Sequence, residues 1–220
     1  MRRLLTLAAL CLVTSSVSAS PLDAIVDRVL KVYGGEAAWK KVVALREEGQ
    51  VNATMRNTTG TMTREWIKPE VLRVTIVYPT STEARVLDHG EGTRNGKEVS
   101  GMSLDAMRLQ AGRLSLPLLL SELRDKLQDR GVEHGMRIID VPLSGTMNLR
   151  VEVDPATGHI VKSTGSAPGP AGASIEFATE YQDFREVGGL LFAHTEKNFA
   201  QGMATATITL TRIEVNPSST

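Results

Sequence analysis

Residues 45–98 read LREEGQVNATMRNTTGTMTREWIKPEVLRVTIVYPTSTEARVLDHGEGTRNGKE. Thr, Val and Ile recur through them with a period of two, the spacing at which successive side chains point to opposite faces of a strand. Segments near 46–56, 60–68, 70–78, 83–88 and 92–98 carry the pattern, and Asn57–Gly60, Pro69, Pro79–Thr82 and Gly90–Gly92 interrupt it with turn-forming residues. Connections this short cannot make a parallel crossover, which takes a dozen residues or more. The five strands are therefore expected to be antiparallel neighbours in a meander.

On the N-terminal side, Ser20-Pro21 followed by Asp23 reads as a helix start: an N-cap, a proline in the first turn and an acid at the positive end of the dipole. Leu22, Ile25, Val26, Val29, Leu30 and Tyr33 make one apolar face, and Gly34-Gly35 ends the helix with a left-handed cap. A short turn over 36–43 carries Trp39. On the C-terminal side, residues 101–130 change to helical spacing in two pieces, capped by Ser103 and by Ser115, with Pro117 tolerated in an opening turn. The second piece sets Leu116, Leu119, Leu120, Leu123 and Leu127 in one stripe against Glu122, Arg124, Asp125 and Lys126. Strands resume near 135–141, 147–153, 159–164, 174–184, 190–200 and 203–215, with a hairpin turn at Asp154–Gly158 and a parity change near Thr211-Arg212 that requires a bulge. Ser163–Ala173, rich in Gly, Pro, Ala and Ser, reads as a mobile surface loop. The expected fold is α+β, with a single curved antiparallel sheet of about eleven strands covered by a few helices.

The first residues read as an address. Met1-Arg2-Arg3, an apolar run from Leu4 to Val13 and small residues at Val17-Ser18-Ala19 make a cleavable secretory signal over residues 1–19, leaving residues 20–220 as one domain. The apolar run is half the length a membrane-spanning helix needs. The only cysteine, Cys11, lies inside that leader and follows Leu10 rather than the small residue a lipidation site requires, so neither disulfides nor thiol catalysis are expected after export. The whole chain balances 25 basic against 25 acidic residues, which leaves no positive field for nucleic acid.

Motifs for chemistry are sparse. His89, His134, His159 and His194 show no metal-ligand spacing, and His194, mid-strand beside Phe192, reads as a satisfied or solvated histidine. There is no G-x-S-x-G elbow, and Gly90–Lys97 lacks the offsets of a phosphate loop. Glu47 and Glu48 are adjacent on a strand and point to opposite faces, unlike a catalytic pair flanking one bond. No enzyme and no cofactor are expected.

Tyr33-Gly34-Gly35-Glu36-Ala37-Ala38-Trp39, Trp66-Ile67-Lys68-Pro69-Glu70-Val71-Leu72-Arg73, Asp154–Ile160 and Tyr181–Leu190, in this order behind a secretory leader, resemble the periplasmic outer-membrane lipoprotein-sorting proteins of the LolA-like superfamily. The Trp that members often carry after an Asp-Gly turn is missing from Asp88–Thr93, and the lid-contacting arginine of that family has two candidates here, Arg64 and Arg73. The resemblance implies an incomplete β-barrel with helices as a lid over an apolar cavity. Trp66, Leu72, Val74, Ile76, Phe177 and Tyr181 from the sheet, and Leu116, Leu119, Leu120 and Leu123 from the helix, are the residues expected to line it. Pattern alone favours an ordinary closed core built from the same residues, and only the resemblance moves the balance toward a cavity. The implied partners are a lipid or an acylated lipoprotein and a membrane-bound donor or acceptor protein, met by a periplasmic monomer. Two alternatives stay open: a non-catalytic sensor or interaction module on the same half-barrel, and a hydrolase whose groups converge from distant positions.

Overall fold

A computed structural model of the chain describes residues 20–144, 147–169 and 173–218. The leader read over residues 1–19 lies outside the described residues. The elements run α1 (Pro21–Val32), α2 (Glu36–Trp39), β1 (Ala44–Ala53), β2 (Thr58–Ile67), β3 (Val71–Tyr78), β4 (Ser81–Asp88), β5 (Glu91–Arg94), β6 (Lys97–Val99), α3 (Met102–Leu114) and α4 (Leu116–Glu122), then β7 (Gln128–Glu133), β8 (Met136–Pro142), β9 (Asn148–Val153), β10 (Ile160–Pro168), β11 (Ser174–Val187), β12 (Leu190–Ala200) and β13 (Met203–Val215). Two 3-10 turns, Thr54–Arg56 and Arg124–Lys126, follow β1 and α4.

All thirteen strands form one antiparallel sheet in the order β6-β5-β4-β3-β2-β1-β13-β12-β11-β10-β9-β8-β7. Two meanders are thus joined through their first and last strands, and β6 and β7 are the sheet's two ends. Thirteen strands replace the expected eleven for two reasons. Asn95 and Gly96 both adopt positive φ and fold the segment 92–98 into the hairpin β5–β6. Gln128–Glu133, where helix was expected through residue 130, pairs with β8 instead.

The curvature follows from what α3 touches. It packs on β4 and β5 from one arm of the sheet and on β9 and β10 from the other. In a flat sheet β4 and β10, seven strand spacings apart, would stand about 34 Å from each other, whereas a helix with its side chains is about 10–12 Å wide. The sheet therefore curls into an open half-barrel, with α3 and α4 inside its concave face.

Local signals place the remaining pieces. Ser20 Oγ accepts from the Asp23 amide at 3.0 Å, and α1 ends where Gly35 N donates to Leu30 O at 2.7 Å and Gly34 N to Lys31 O. At Gly34, φ is +102° and a Cβ would stand 2.2 Å from Gly189 O, so only glycine lets α1 dock on the β11–β12 turn. In the central pairing Glu48 opposes Arg212 while Gly49 opposes Leu210, which leaves Thr211 as the extra residue that the parity change required. Asp154 holds its turn by accepting from Ala156 N and from Thr157 Oγ1.

Three expectations are corrected. α3 starts at Met102 behind Gly101 rather than at a Ser103 cap, and Ser115, although it holds the N-cap position of α4, makes no side-chain cap there: its Oγ donates back to Ala111 O and Gly112 O. The leucine stripe is not one helix: α4 ends at Glu122, and a 3-10 turn precedes Leu127. Finally, Ser163–Pro168 and Ser174 belong to paired strands, so strand structure takes up most of the segment read as a loop, while residues 170–172 lie outside the described residues.

A candidate ligand cavity under a lid helix

Strand alternation decides which side chains face the bowl. On β1 these are Leu45, Glu47, Val51 and Ala53, on β2 Met62, Arg64 and Trp66, and on β12 Leu190, Phe192, His194 and Glu196. Charged residues thus alternate in step with apolar ones and are carried inside. Arg64 donates through Nε to Glu47 at 2.6 Å and through Nη1 and Nη2 to both oxygens of Glu196 at 3.0 and 2.6 Å. Its side chain is 3% exposed, those of Glu47 and Glu196 5% and 11%. Glu47 stands opposite Arg64 on the neighbouring strand, but Glu196 is three strands away in the sheet order, about 14 Å along a flat sheet. Only across a concave face can one guanidinium join both.

Burial pushes the Glu47 carboxyl above the usual carboxylate range, Arg64 works against that rise and Glu196 adds to it. Burial disfavours the Arg64 cation, yet the two carboxylates outweigh it and hold the guanidinium charged. A raised carboxyl pKa makes ionised Glu47 a burden on the native state at neutral pH. That burden is relieved as pH falls through the raised value toward the ordinary 4.5, because the folded protein then binds a proton that the unfolded chain does not. Glu47→Gln is accordingly expected to raise the melting temperature relative to the parent more at pH 7.5 than at pH 5, as read by thermal melts at both. A gap that stays constant or widens on acidification would refute it.

An arginine of α3 ties that helix to the sheet. Arg113 on α3 donates to Ser163 Oγ at 3.1 Å and to Phe177 O at 2.7 Å, and Ser163 Oγ lies 2.7 Å from Tyr181 Oη. Burial lifts the Tyr181 phenol to about 12, so it serves here as a neutral hydrogen-bonding group. The two candidates for a lid-contacting arginine go elsewhere: Arg64 ties strand to strand, and Arg73 on β3 is exposed. His194 is buried rather than solvated, with Nδ1 donating to Leu210 O at 3.0 Å and Nε2 unpartnered.

Three spaces border α3. The first, about 370 Å³, lies between α3 and the sheet and is lined by Met62, Ile76, Phe177, Tyr181, Phe199, Ala206 and Ile208 together with Arg56, Arg64, Arg85, Arg113, Glu83 and Glu196. The second, about 350 Å³, has Trp66, Leu119, Leu123, Pro142 and Leu143 in its walls. The third, about 60 Å³, is lined by Tyr33, Trp39, Leu116, Phe192 and again Tyr181 and Glu196. Of the ten residues expected to share one cavity, Ile76, Phe177 and Tyr181 meet in the first space, Trp66, Leu119 and Leu123 in the second, and Leu116 borders the third. Leu72, Val74 and Leu120 border none of these and are packed in the core, at 1%, 2% and 0% exposure. Apart from Arg64, the arginines and glutamates in the largest space lie outside the expected set, although strand parity on β2, β4 and β12 marks Arg64, Glu83, Arg85 and Glu196 as inward-facing. Among the described residues, no cluster of three or more His, Cys, Asp or Glu is placed to hold a metal, and no helix is long and apolar enough to cross a membrane.

Solved structures share this fold. The chain is similar to a LolA superfamily protein of Nitrosomonas europaea, with a TM-score of 0.55 over 91% of this chain and 96% of that one at 7% identity. It is also similar to a DUF1329 family protein of Desulfovibrio piger, with a TM-score of 0.51 over 92% of this chain and 96% of that one at 8% identity. No family model and no curated protein matches the sequence. At such identities the likeness is one of fold, and in fold the chain is LolA-like: an open, curved antiparallel sheet closed over by helices.

Proposed function

We propose that the chain is an exported, non-catalytic periplasmic carrier that holds the acyl chain of a lipid or lipoprotein between α3 and the concave sheet. The supporting observation is the 370 Å³ space whose apolar walls, Met62, Ile76, Phe177, Phe199 and Ile208, lie under one helix tied down by Arg113. Its size falls in the range of small-molecule sites. A fourteen-carbon chain leaving a membrane for water loses on the order of 10 kcal/mol, so a soluble carrier must offer an apolar substitute. Transfer then needs no chemistry, because cargo moves to whichever site shields it better. The leader and the LolA-like fold agree with this reading.

The test is mass spectrometry of an organic extract of the protein taken from its native compartment, where a stoichiometric acyl-bearing compound is expected. Ala206, half-buried in the wall of the large space, offers a way to fill it. Ala206→Phe is expected to weaken binding of an apolar fluorophore by about tenfold, the equivalent of ~1.4 kcal/mol. An extract without lipid, together with unchanged fluorophore binding in the variant, would rule the carrier out.

A further inference from the structure

Where the large cavity reaches the surface, the sheet carries more positive charge than it neutralises. Arg85 on β4 and Arg94 on β5 are directly opposite each other in the ladder, and like charges so placed destabilise a sheet. Arg56, from the 3-10 turn after β1, joins them. All three converge on one carboxylate: Glu83 lies 3.0 Å from Arg85 Nε, 3.0 Å from Arg94 Nη2 and 3.3 Å from Arg56 Nη2. Around them, Gln110 Oε1 of α3 accepts from Arg85 Nη1 at 3.3 Å, Arg56 lies over the Tyr78 ring at 5.6 Å, and Lys97 stands opposite Arg94 in the ladder. One acid among three guanidiniums leaves two positive charges without a partner in the cluster. Arg56 and Arg94 remain open to solvent, at 52% and 44% side-chain exposure, while Glu83 is 11% exposed beneath them. Arg56, Glu83 and Arg85 are wall residues of the cavity, and Ile76, paired with Glu83 across the ladder, begins the apolar wall directly beside them.

A cationic cluster bordering an apolar cavity is the complement of one chemical class. We infer that the cavity takes an anionic single-chain amphiphile, its carboxylate or phosphate head on the Arg56, Arg85 and Arg94 cluster and its chain running past Ile76 toward Phe177. This inference rests on the carrier reading and narrows it. Glu83 keeps the three guanidiniums in place when no ligand is bound, and a ligand head supplies the charge that they lack.

Calorimetric titration of the folded protein with tetradecanoate, tetradecyl phosphate, tetradecanol and inorganic phosphate tests it. The two anionic amphiphiles are expected to bind about tenfold more tightly than the alcohol, as hydrogen bonds to charged groups would give. In the double variant Arg56→Gln, Arg94→Gln that ratio is expected to fall to within about twofold. The unliganded variant should melt no lower than the parent, because like-charge repulsion has been removed, whereas a purely structural cluster would lose melting temperature. Equal affinity of the parent for acid and alcohol overturns the head-group assignment and leaves the carrier reading standing. Failure of every chain-bearing compound to bind overturns the carrier reading itself. Inorganic phosphate binding as tightly as tetradecyl phosphate overturns the amphiphile in favour of a bare anion site.

Discussion

Replacing Arg64 with methionine is expected to destabilise the protein by about 3–5 kcal/mol, the range for removing one partner of a buried ion pair. The guanidinium makes three hydrogen bonds to two carboxylates that are themselves withdrawn from water. Without it, Glu47 and Glu196 face each other across the bowl as unpaired buried anions, and the tie between β2 and β12 is lost. Two accompanying results separate this account from a simple packing defect. Arg64→Met should recover stability on acidification from pH 7.5 to 5, as the orphaned Glu47 carboxyl takes up a proton. Adding Glu47→Gln and Glu196→Gln to it should restore most of the loss at pH 7.5, since replacing a whole buried ion network is far less harmful than breaking it. Arg46→Met is the control. Arg46 contacts Glu48 and Glu65 at 3.3 and 3.2 Å but is 35% exposed, and such pairs contribute about 0–1 kcal/mol. Urea unfolding followed by circular dichroism measures all of these, and a loss below 1 kcal/mol for Arg64→Met would contradict the role given to the triad.

That role bears on how the sequence announces its fold. Alternation in residues 45–98 is enough for the meander, because each strand has one dry face and turns at Asn57, Pro69 and Pro79 admit only hairpins. The dry face itself was read too simply. Glu47 keeps step with Leu45 and Val51, Arg64 with Met62 and Trp66, and Glu196 with Phe192, so parity alone places three charges inside. What parity cannot supply is the partner. Arg64 selects Glu196 only because β1 pairs β13, which puts two ends of the chain side by side at the centre of the sheet, and because curvature shortens the path across it. The same curvature divides the ten cavity candidates. Leu72 and Leu120 lie fully in the core, whereas Ile76, farther along β3 than Leu72, and Phe177, near the start of β11, border open space. Hydrophobic spacing distinguishes inside from outside, but it carries no information on whether an inward side chain meets another side chain or a void.

The neutral overall charge conceals a second asymmetry. The wall of the large space contains four arginines, Arg56, Arg64, Arg85 and Arg113, against two glutamates, while the whole chain is balanced. Positive charge is concentrated where α3 meets the sheet, and each of those arginines touches either α3, a strand at the far side of the bowl or the shared Glu83. The seating of α3 and the electrostatics of the cavity are thus properties of the same residues.

The lid's seat provides the second large effect. Gly165 on β10 faces α3, and a Cβ placed there would stand 2.3 Å from Leu109 Cδ2, 3.1 Å from Cδ1 and 3.2 Å from Cγ. Leu109 is 0% exposed in the core, so its side chain cannot turn out into solvent to make room. Gly165→Val suits a strand by intrinsic preference, and its conflict is therefore with the helix alone. Overpacking of this kind costs about 1–3 kcal/mol, and the least obstructed relief is displacement of α3 from the sheet. Two consequences are expected together: a melting temperature lowered by the corresponding amount, and release of a bound apolar fluorophore accelerated by about tenfold, the equivalent of ~1.4 kcal/mol lost from the closed state. Leu109→Ala supplies the cross-check. Alone it should destabilise by about 2–5 kcal/mol through the cavity it leaves. Combined with Gly165→Val it should cost less than the two changes added together, because the valine occupies the space that the leucine vacated. Additive losses, or fluorophore release unchanged in Gly165→Val, would mean that α3 does not ride on Gly165.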